Sequence, residues 1–308
     1  MQKELIGTII GDAMIDYALP IVNPDDFRYL LCGGVTQTRA TITPGGATNV
    51  ATVLSTLGSP SAFIGKIGND NHGECVRQDL IKHRVLPKLS VSDELPTGKV
   101  FNLVLPDGQR FFLVERGANS NLLVGDIDED TCLNSNIVYL SGYSFQDNIT
   151  KSSIRNLAND ISQDVKILFN PGAPNLCEKY KEEFLNLIRN HVDIVILNGD
   201  EAFALTGCSE GGAIQELLSL GIDTCAVTMG VEGSIVASSF EVLTIAADLI
   251  VNPIDTTGAG DAYAAAFIHG LQYGWNLKKV GGFASKIAAD MVKVYGTRSS
   301  PKIMRPLR

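Results

Sequence analysis

The 308-residue sequence is poor in the residues that build metal and redox centres, with four histidines, one tryptophan and six cysteines. His72, His83, His191 and His269 share no H-E-x-x-H or comparable spacing, so a histidine metal centre has no support. Cys32, Cys75, Cys132, Cys177, Cys208 and Cys225 form no C-x-x-C pair, which argues against a clustered-thiol site and predicts reduced packing thiols. Positive charge is also short: 25 Lys and Arg against 34 Asp and Glu give a net charge of -9. Neutralising a polyanion needs clustered basic residues, so nucleic acid is not an expected partner. The start of the chain runs into an apolar segment broken by Gly11, Asp12 and Asp16, lacking both a cleavable signal pattern and a spanning length. No membrane and a cytoplasmic location are therefore expected. Neither a G-x-G-x-x-G after the first strand nor a G-x-x-x-x-G-K-[ST] is present, which argues against a nicotinamide oxidoreductase and a P-loop kinase.

What is present is the composition of a folded chain, 45% hydrophobic and 19% charged. Apolar, β-branched runs at 5–10, 137–140, 166–170, 194–198, 224–228 and 234–238 alternate with helix-length stretches. That rhythm predicts an α/β fold with a mostly parallel sheet covered on both faces. No repeat or Pro-rich linker divides the chain, so residues 1–308 are read as one unit. Two segments, 17–44 and 95–118, break the rhythm and read as extra β structure. The second carries Pro106-Asp107-Gly108-Gln109 between two extended runs, a turn suited to a hairpin. A small β lid is expected from them. Phe27, Tyr29, Leu30 and Leu31 in the first segment offer an apolar surface either to a homodimer or to the chain's own core. Ligands of open parallel sheets lie beyond the strands' carboxyl ends, which makes Gly11-Asp12, Ser141-Gly142, Asn170-Pro171, Asn198-Gly199 and Met229-Gly230 candidate rim positions.

The densest chemical signal is the run from Asn252 through Asp255, Thr256, Thr257, Gly258, Ala259, Gly260 and Asp261 into an Ala-rich helical stretch. Gly258 and Gly260 permit close backbone approach, and free amides at a helix start favour an anion such as phosphate. Asp261 is the odd residue there. Its carboxylate opposes anion binding, so it reads either as a general base for a hydroxyl proton or as a helix cap. A second cluster, Pro44-Gly45-Gly46-Ala47-Thr48-Asn49, opens another helical stretch that reaches Gly58. Asn49 can read neighbouring hydroxyls or cap locally.

Together these segments resemble the two signatures of the ribokinase-like, or PfkB, carbohydrate kinases. The resemblance runs along almost the whole chain in family order: residues 11–16, 45–58, 65–70, 198–201, 228–230 and 255–261. It implies a three-layer ribokinase-like fold whose small β lid closes over a sugar site. It implies transfer of the γ-phosphoryl group of ATP to a sugar or nucleoside hydroxyl, with Asp261 as base and Gly258, Ala259 and Gly260 as anion hole. Asp12, Asp16, Gly45, Gly46 and Asn49 match positions that hold substrate hydroxyls. Asn198 and Glu201 match an N-x-x-E motif that organises Mg2+ through water. Thr228, Gly230 and Gly233 fall at the nucleotide phosphates, although a plain hairpin would look the same. Asp255 and the Thr257 carbonyl occupy the stretch where many relatives bind a monovalent cation such as K+. Gly65, Gly68 and Asp70 are assigned to a structural turn.

The sequence also departs from that pattern. Asp12 stands where many relatives carry Asn, and the Gly-Lys-Gly usual in ribokinases is missing after Gly45, so ribose is not the leading substrate. Arg110 and Arg116 lie in the lid segment, where a guanidinium suits an acidic or phosphorylated substrate. A Mg-ATP-dependent sugar kinase is the leading expectation, with a nucleoside kinase next and a non-catalytic sugar sensor last.

Overall fold

The computed structural model describes residues 7–21, 24–105, 110–248, 250, 255–293 and 296–298. Its strands are β1 (Gly7–Ile10), β2 (Ala13–Pro20), β3 (Thr41–Gly46), β4 (Ser61–Gly68), β5 (Leu86–Ser92), β6 (Gly98–Val104) and β7 (Arg110–Glu115). They continue with β8 (Ile137–Ser141), β9 (Lys166–Asn170), β10 (Ile194–Asn198), β11 (Thr224–Thr228), β12 (Ser234–Ser238) and β13 (Val242–Ile245). The helices of the first half are α1 (Pro24–Leu31), α2 (Thr48–Thr56), α3 (Asn71–Lys82), α4 (Glu129–Leu133) and α5 (Asn148–Asp160). Those of the second half are α6 (Pro174–Lys179), α7 (Lys181–His191), α8 (Gly199–Thr206), α9 (Glu210–Ser219), α10 (Ala259–Gln272) and α11 (Leu277–Met291).

The large sheet has the order β13-β12-β11-β10-β9-β8-β1-β4-β5. Its strands from β5 to β11 run parallel, and β12 and β13 close one edge in antiparallel fashion. Alternate residues of each strand enter different layers. Ile9, Phe63, Tyr139, Leu168, Ile196 and Ala226 pack with α2, α3, α10 and α11. Ile10, Ile64, Leu140, Phe169, Leu197 and Val227 pack under α5 to α9 on the other face. Covering both faces is what demands continuously apolar strands. Helix α10 is buried from Ala262 to Gly270, and its run of alanines lets it seat tightly between α2 and α11.

The strands expected at 166–170, 194–198, 224–228 and 234–238 occupy those residues. The one at 137–140 runs on to Ser141, and the first is described from Gly7. Gly65 and Gly68 correct an expectation, for they lie inside the fully buried β4 and not in a turn. A Cβ at Gly68 would collide with the backbone of Leu95 and Thr97, so this glycine marks a close backbone crossing. Asp70 caps α3, its Oδ1 accepting from the Gly73 amide at 2.8 Å.

The second sheet has four strands in the order β3-β2-β6-β7. It uses both segments that broke the rhythm. The first is only in part β structure, however: α1 stands between β2 and β3, ended by Gly33 at φ 78°. The turn expected at 106–109 lies outside the described residues, and its flanks β6 and β7 pair antiparallel as a hairpin requires. Tyr29 and Leu31 of α1 are exposed, as are Phe111, Phe112, Leu113 and Val114 of β7, and Phe27 stacks on Phe111 at 5.3 Å.

Beneath α5 to α9, Phe145, Phe169 and Phe184 pack edge to face, with centroids 5.0 to 6.1 Å apart. All three are fully buried. Phe184→Ala is expected to cost about 3–5 kcal/mol, read as a lower denaturant midpoint. An unchanged midpoint would remove this cluster from the core.

Candidate active site

The site begins with two glycines at the end of β3. A Cβ on Gly45 would overlap the Asp16 carboxyl, and one on Gly46, at φ 67°, would strike the Asp12 carbonyl. Only the missing side chains let β2 and β3 bring these acids so close. The Ala47 amide donates to the Asp12 carbonyl at 2.9 Å, and the Thr48 hydroxyl donates to the Gly45 carbonyl at 2.7 Å, which sets the start of α2. Asn49 is thereby buried and faces the first turn of α10. Its Nδ2 donates to Asp261 Oδ2 at 2.9 Å. Two residues 212 positions apart in sequence thus meet, in the two segments singled out by glycine.

Burial drives the Asp261 carboxyl above the usual carboxylate range, opposed by the Asn49 hydrogen bond and then by the charge of Arg298. Asp16 is pushed up to about 6 by burial, with Arg298 opposing and Asp261 adding to the rise. Arg298 is a residue that sequence reading missed. It donates to Asn49 Oδ1 through Nη1, to the Thr48 hydroxyl at 2.8 Å through Nη2, and to Asp79 Oδ2 at 2.7 Å through Nε. It follows the last helix in a short segment without a motif, so nothing in the sequence signalled it.

Gly258 takes φ 79° just before α10, a left-handed conformation that turns the chain into the helix. Asp255 braces this loop, Oδ1 accepting from the Thr257 amide at 2.9 Å and Oδ2 from the Gly296 amide at 3.0 Å. The position of a Gly260 Cβ is open space. First-turn amides of a helix lack intrahelical partners, so Gly260 and Asp261 present N–H groups there, while the Ala259 amide donates to the Thr256 carbonyl at 3.4 Å. Beside them lies a cavity of about 250 Å3 that also holds Thr228, Gly230 and Gly233. Its remaining wall is mostly apolar, with Ala247, Ile250, Tyr263, Ala288, Ala289 and Val292. Gly230 and Gly233 form the tight connection between β11 and β12, at φ 57° and 99°. They thus form a hairpin and also line the cavity.

Asn198 and Glu201 form a reciprocal cap on α8: Asn198 Oδ1 accepts from the Glu201 amide and Glu201 Oε2 from the Asn198 amide, each at 2.9 Å. Burial lifts Glu201 to about 7, eased by the Asn198 amide and reinforced by Asp200. The Tyr143 phenol feels the charges of both Glu201 and Asp261, which places the three in one electrostatic neighbourhood.

Asp12 is partnered within the chain: Arg116 grips it with Nη1 to Oδ2 at 2.6 Å and Nη2 to Oδ1 at 3.0 Å. The Nε of the same guanidinium donates to Asp147 Oδ2 at 2.5 Å. Burial still lifts the Asp12 carboxyl despite this partner. Arg116 is accordingly engaged by two acids of the chain itself, and the side chain of Arg110 lies outside the described residues.

Comparison with known proteins gives the family. The family model described as pfkB family carbohydrate kinase matches residues 8–303. An uncharacterized sugar kinase of Archaeoglobus fulgidus is 26% identical over 245 residues, covering 80% of this chain and 96% of that protein. A 5-dehydro-2-deoxygluconokinase of Bacillus subtilis is 25% identical over 273 residues, 85% and 84% of the two chains. The crystal structure of adenosine kinase from Sinorhizobium meliloti superposes with a TM-score of 0.86 at 28% identity, covering 96% of each chain.

The raised Glu201 makes a testable stability statement. A carboxyl that binds its proton more tightly folded than unfolded destabilises the fold as pH rises, here from about 4.5 to about 7. Glu201→Gln keeps the acceptor of the cap and removes that charge. It is expected to raise stability at pH 8 by up to about 3 kcal/mol, an advantage that fades toward pH 4.5. Chemical unfolding at the two pH values measures it, and a variant less stable at pH 8 contradicts it.

Proposed function

The chain belongs to the pfkB family of carbohydrate kinases, and from that premise we propose that it transfers the γ-phosphoryl group of ATP to a hydroxyl of an uncharged sugar. The observation that carries this reading is Asp261, a carboxylate held by Asn49 at the mouth of an amide-lined helix start. In this reading Asp261 accepts the proton of the attacking hydroxyl as its oxygen bonds the γ-phosphorus and the bond from that phosphorus to the bridging oxygen breaks, releasing ADP. The amides of Gly258, Ala259 and Gly260 meet the charge that gathers on the transferred group. Asp16 and Asn49, with Gly45 and Gly46 leaving room, hold the hydroxyl in line. The small sheet carries Asp16 and Gly45, so its closure over the acceptor would exclude water.

The apolar cavity beside the loop fits an adenine ring, with Thr228, Gly230 and Gly233 toward its phosphates. Among the described residues no group of three His, Cys, Asp or Glu side chains could cage a metal. Glu201 and Asn198 would be the protein side of a magnesium ion reached through water. When bound, magnesium supplies charge neutralisation on the phosphates. Asp255 and the Thr257 carbonyl are the proposed side of a potassium site, with the Asp255 carboxylate already ordering the loop.

The acceptor is inferred to be uncharged because Arg116 and Arg298, the guanidinium groups described at the site, each serve partners within the chain. Asp12, Asp16, Asp147 and Asp261 outnumber them, so an added anion meets net repulsion. A nucleoside acceptor is a second reading, supported by the structural likeness to an adenosine kinase.

Magnesium-dependent ADP release should be measured against neutral pentoses and hexoses, sugar acids, sugar phosphates and nucleosides. A neutral sugar is expected to exceed any anionic acceptor at least ~100-fold in kcat/KM, the scale of a few kcal/mol of repulsion. Asp261→Asn is expected to lower kcat by about 10²–10⁴-fold. Full activity in that variant would remove the base. Turnover confined to nucleosides would select the second reading, and sugar binding without turnover would leave a sensor.

A further inference from the structure

The Asn49 amide has two ends, and the groups around it allow a single orientation. A guanidinium can only donate and an ionised carboxylate can only accept, so Oδ1 must face Arg298 and Nδ2 must face Asp261. Rotating the amide would set donor against donor and acceptor against acceptor. Arg298 is itself fixed at three points, on Asp79 of α3 and on Thr48 and Asn49 of α2, and its side chain is 12% exposed. Asp79 is held in turn by His83, whose Nδ1 lies 3.3 Å from Asp79 Oδ1 and 2.8 Å from the Asp79 carbonyl. The result is a chain of polar contacts from α3 through the C-terminal segment and α2 to the first turn of α10.

We propose that Arg298 is a positioning residue for phosphoryl transfer: anchored on Asp79, its guanidinium locks the Asn49 amide with its donor toward Asp261. The clamp thereby favours the carboxylate form of Asp261 and aims it at the acceptor hydroxyl, without Arg298 touching the acceptor. A buried carboxylate that loses such a donor turns or takes up a proton, and either change removes the base. Lys in place of Arg298 offers a point charge and not the planar fork that three separated acceptors require. The proposal rests on the kinase reading for its kinetic consequence and on geometry for the clamp itself.

Arg298→Met, Arg298→Lys, Asn49→Ala and the double variant Arg298→Met/Asn49→Ala test it with the best acceptor from the survey. Arg298→Met is expected to lower kcat/KM for the acceptor about 10–100-fold while the KM for ATP stays within about twofold. In the Asn49→Ala background the same change should cost less than about twofold, because its route is already gone. Losses that multiply, or an equal rise in the KM for ATP, would overturn the relay. Arg298→Lys is expected to stay near the Met variant, and full activity in it would show that charge and not the fork matters. If Arg298→Met does not fold, Asp79→Asn decides: a smaller loss in the same direction supports the clamp and an unchanged kcat/KM overturns it.

A carboxyl-carbon NMR titration of Asp261 needs no turnover, and so separates failure of the clamp from failure of the kinase reading. The other titratable groups facing Asp261 are Asp16 on β2, Tyr139 on β8 and Tyr143 after it, with Glu201 on α8 behind the tyrosines and Asp79 and His83 on α3 behind the guanidinium. These are unchanged in Arg298→Met. The Asp261 midpoint is expected to move to higher pH in that variant, and a midpoint that stays or falls overturns the proposal.

Discussion

Placing carboxyl groups where water is excluded imposes the constraint on which the rest of this structure depends. A buried acid without a donor either protonates or forces the chain apart. Three aspartates meet this demand in different ways. Asp12 takes a two-pronged guanidinium, Asp261 takes an amide that another guanidinium holds in place, and Asp16 lies in the field of Arg298 and is lifted to about 6. The different answers suit different work. A carboxylate closed by a fork is a structural tie, whereas one met by a single neutral donor keeps an oxygen for a proton.

The site also divides its labour between backbone and side chain. Amides at the start of α10 and the glycine turn before it can meet an anion without any basic side chain, which suits a chain with net charge -9. In the proposed reading, side chains from β2 and α2 are left to handle hydroxyls. Glycine makes both halves possible, by a left-handed turn at Gly258 and by the space that Gly45 yields to the Asp16 carboxyl.

Much of this was legible in the sequence because it rests on local chemistry. Strands buried on both faces must be apolar throughout, so β8 to β12 could be read nearly to the residue. Glycine beside Asp or Asn at a helix start marked Gly258 to Asp261 and Gly45 to Asn49. Glycine misled where it served a different end: Gly65 and Gly68 read as a turn, yet they admit neighbouring backbone to a buried strand. Long-range pairing left no trace in the pattern. Nothing near Arg116 announces that it will grip Asp12, 104 residues earlier, and nothing near Arg298 announces Asn49. Such partners are chosen by the topology of the sheet, which composition and period do not encode.

That topology gives the Asp12–Arg116 pair a meaning beyond its own energy. The chain first passes from the large sheet to the small one between Ile10 and Ala13 and leaves it for the last time after Glu115, with a further exit after Gly46 and a re-entry before Gly98. Arg116 therefore ties the point of departure to the point of return, and through Asp147 to the residue that precedes α5. Buried Asn119 reinforces the same crossing, accepting from the Ala13 amide at 2.7 Å and donating to the carbonyls of Ala13 and Arg116 at 3.0 and 2.9 Å. The crossing that leads to Asp16 is thereby braced from two sides, by a guanidinium fork on Asp12 and by a buried amide on Ala13.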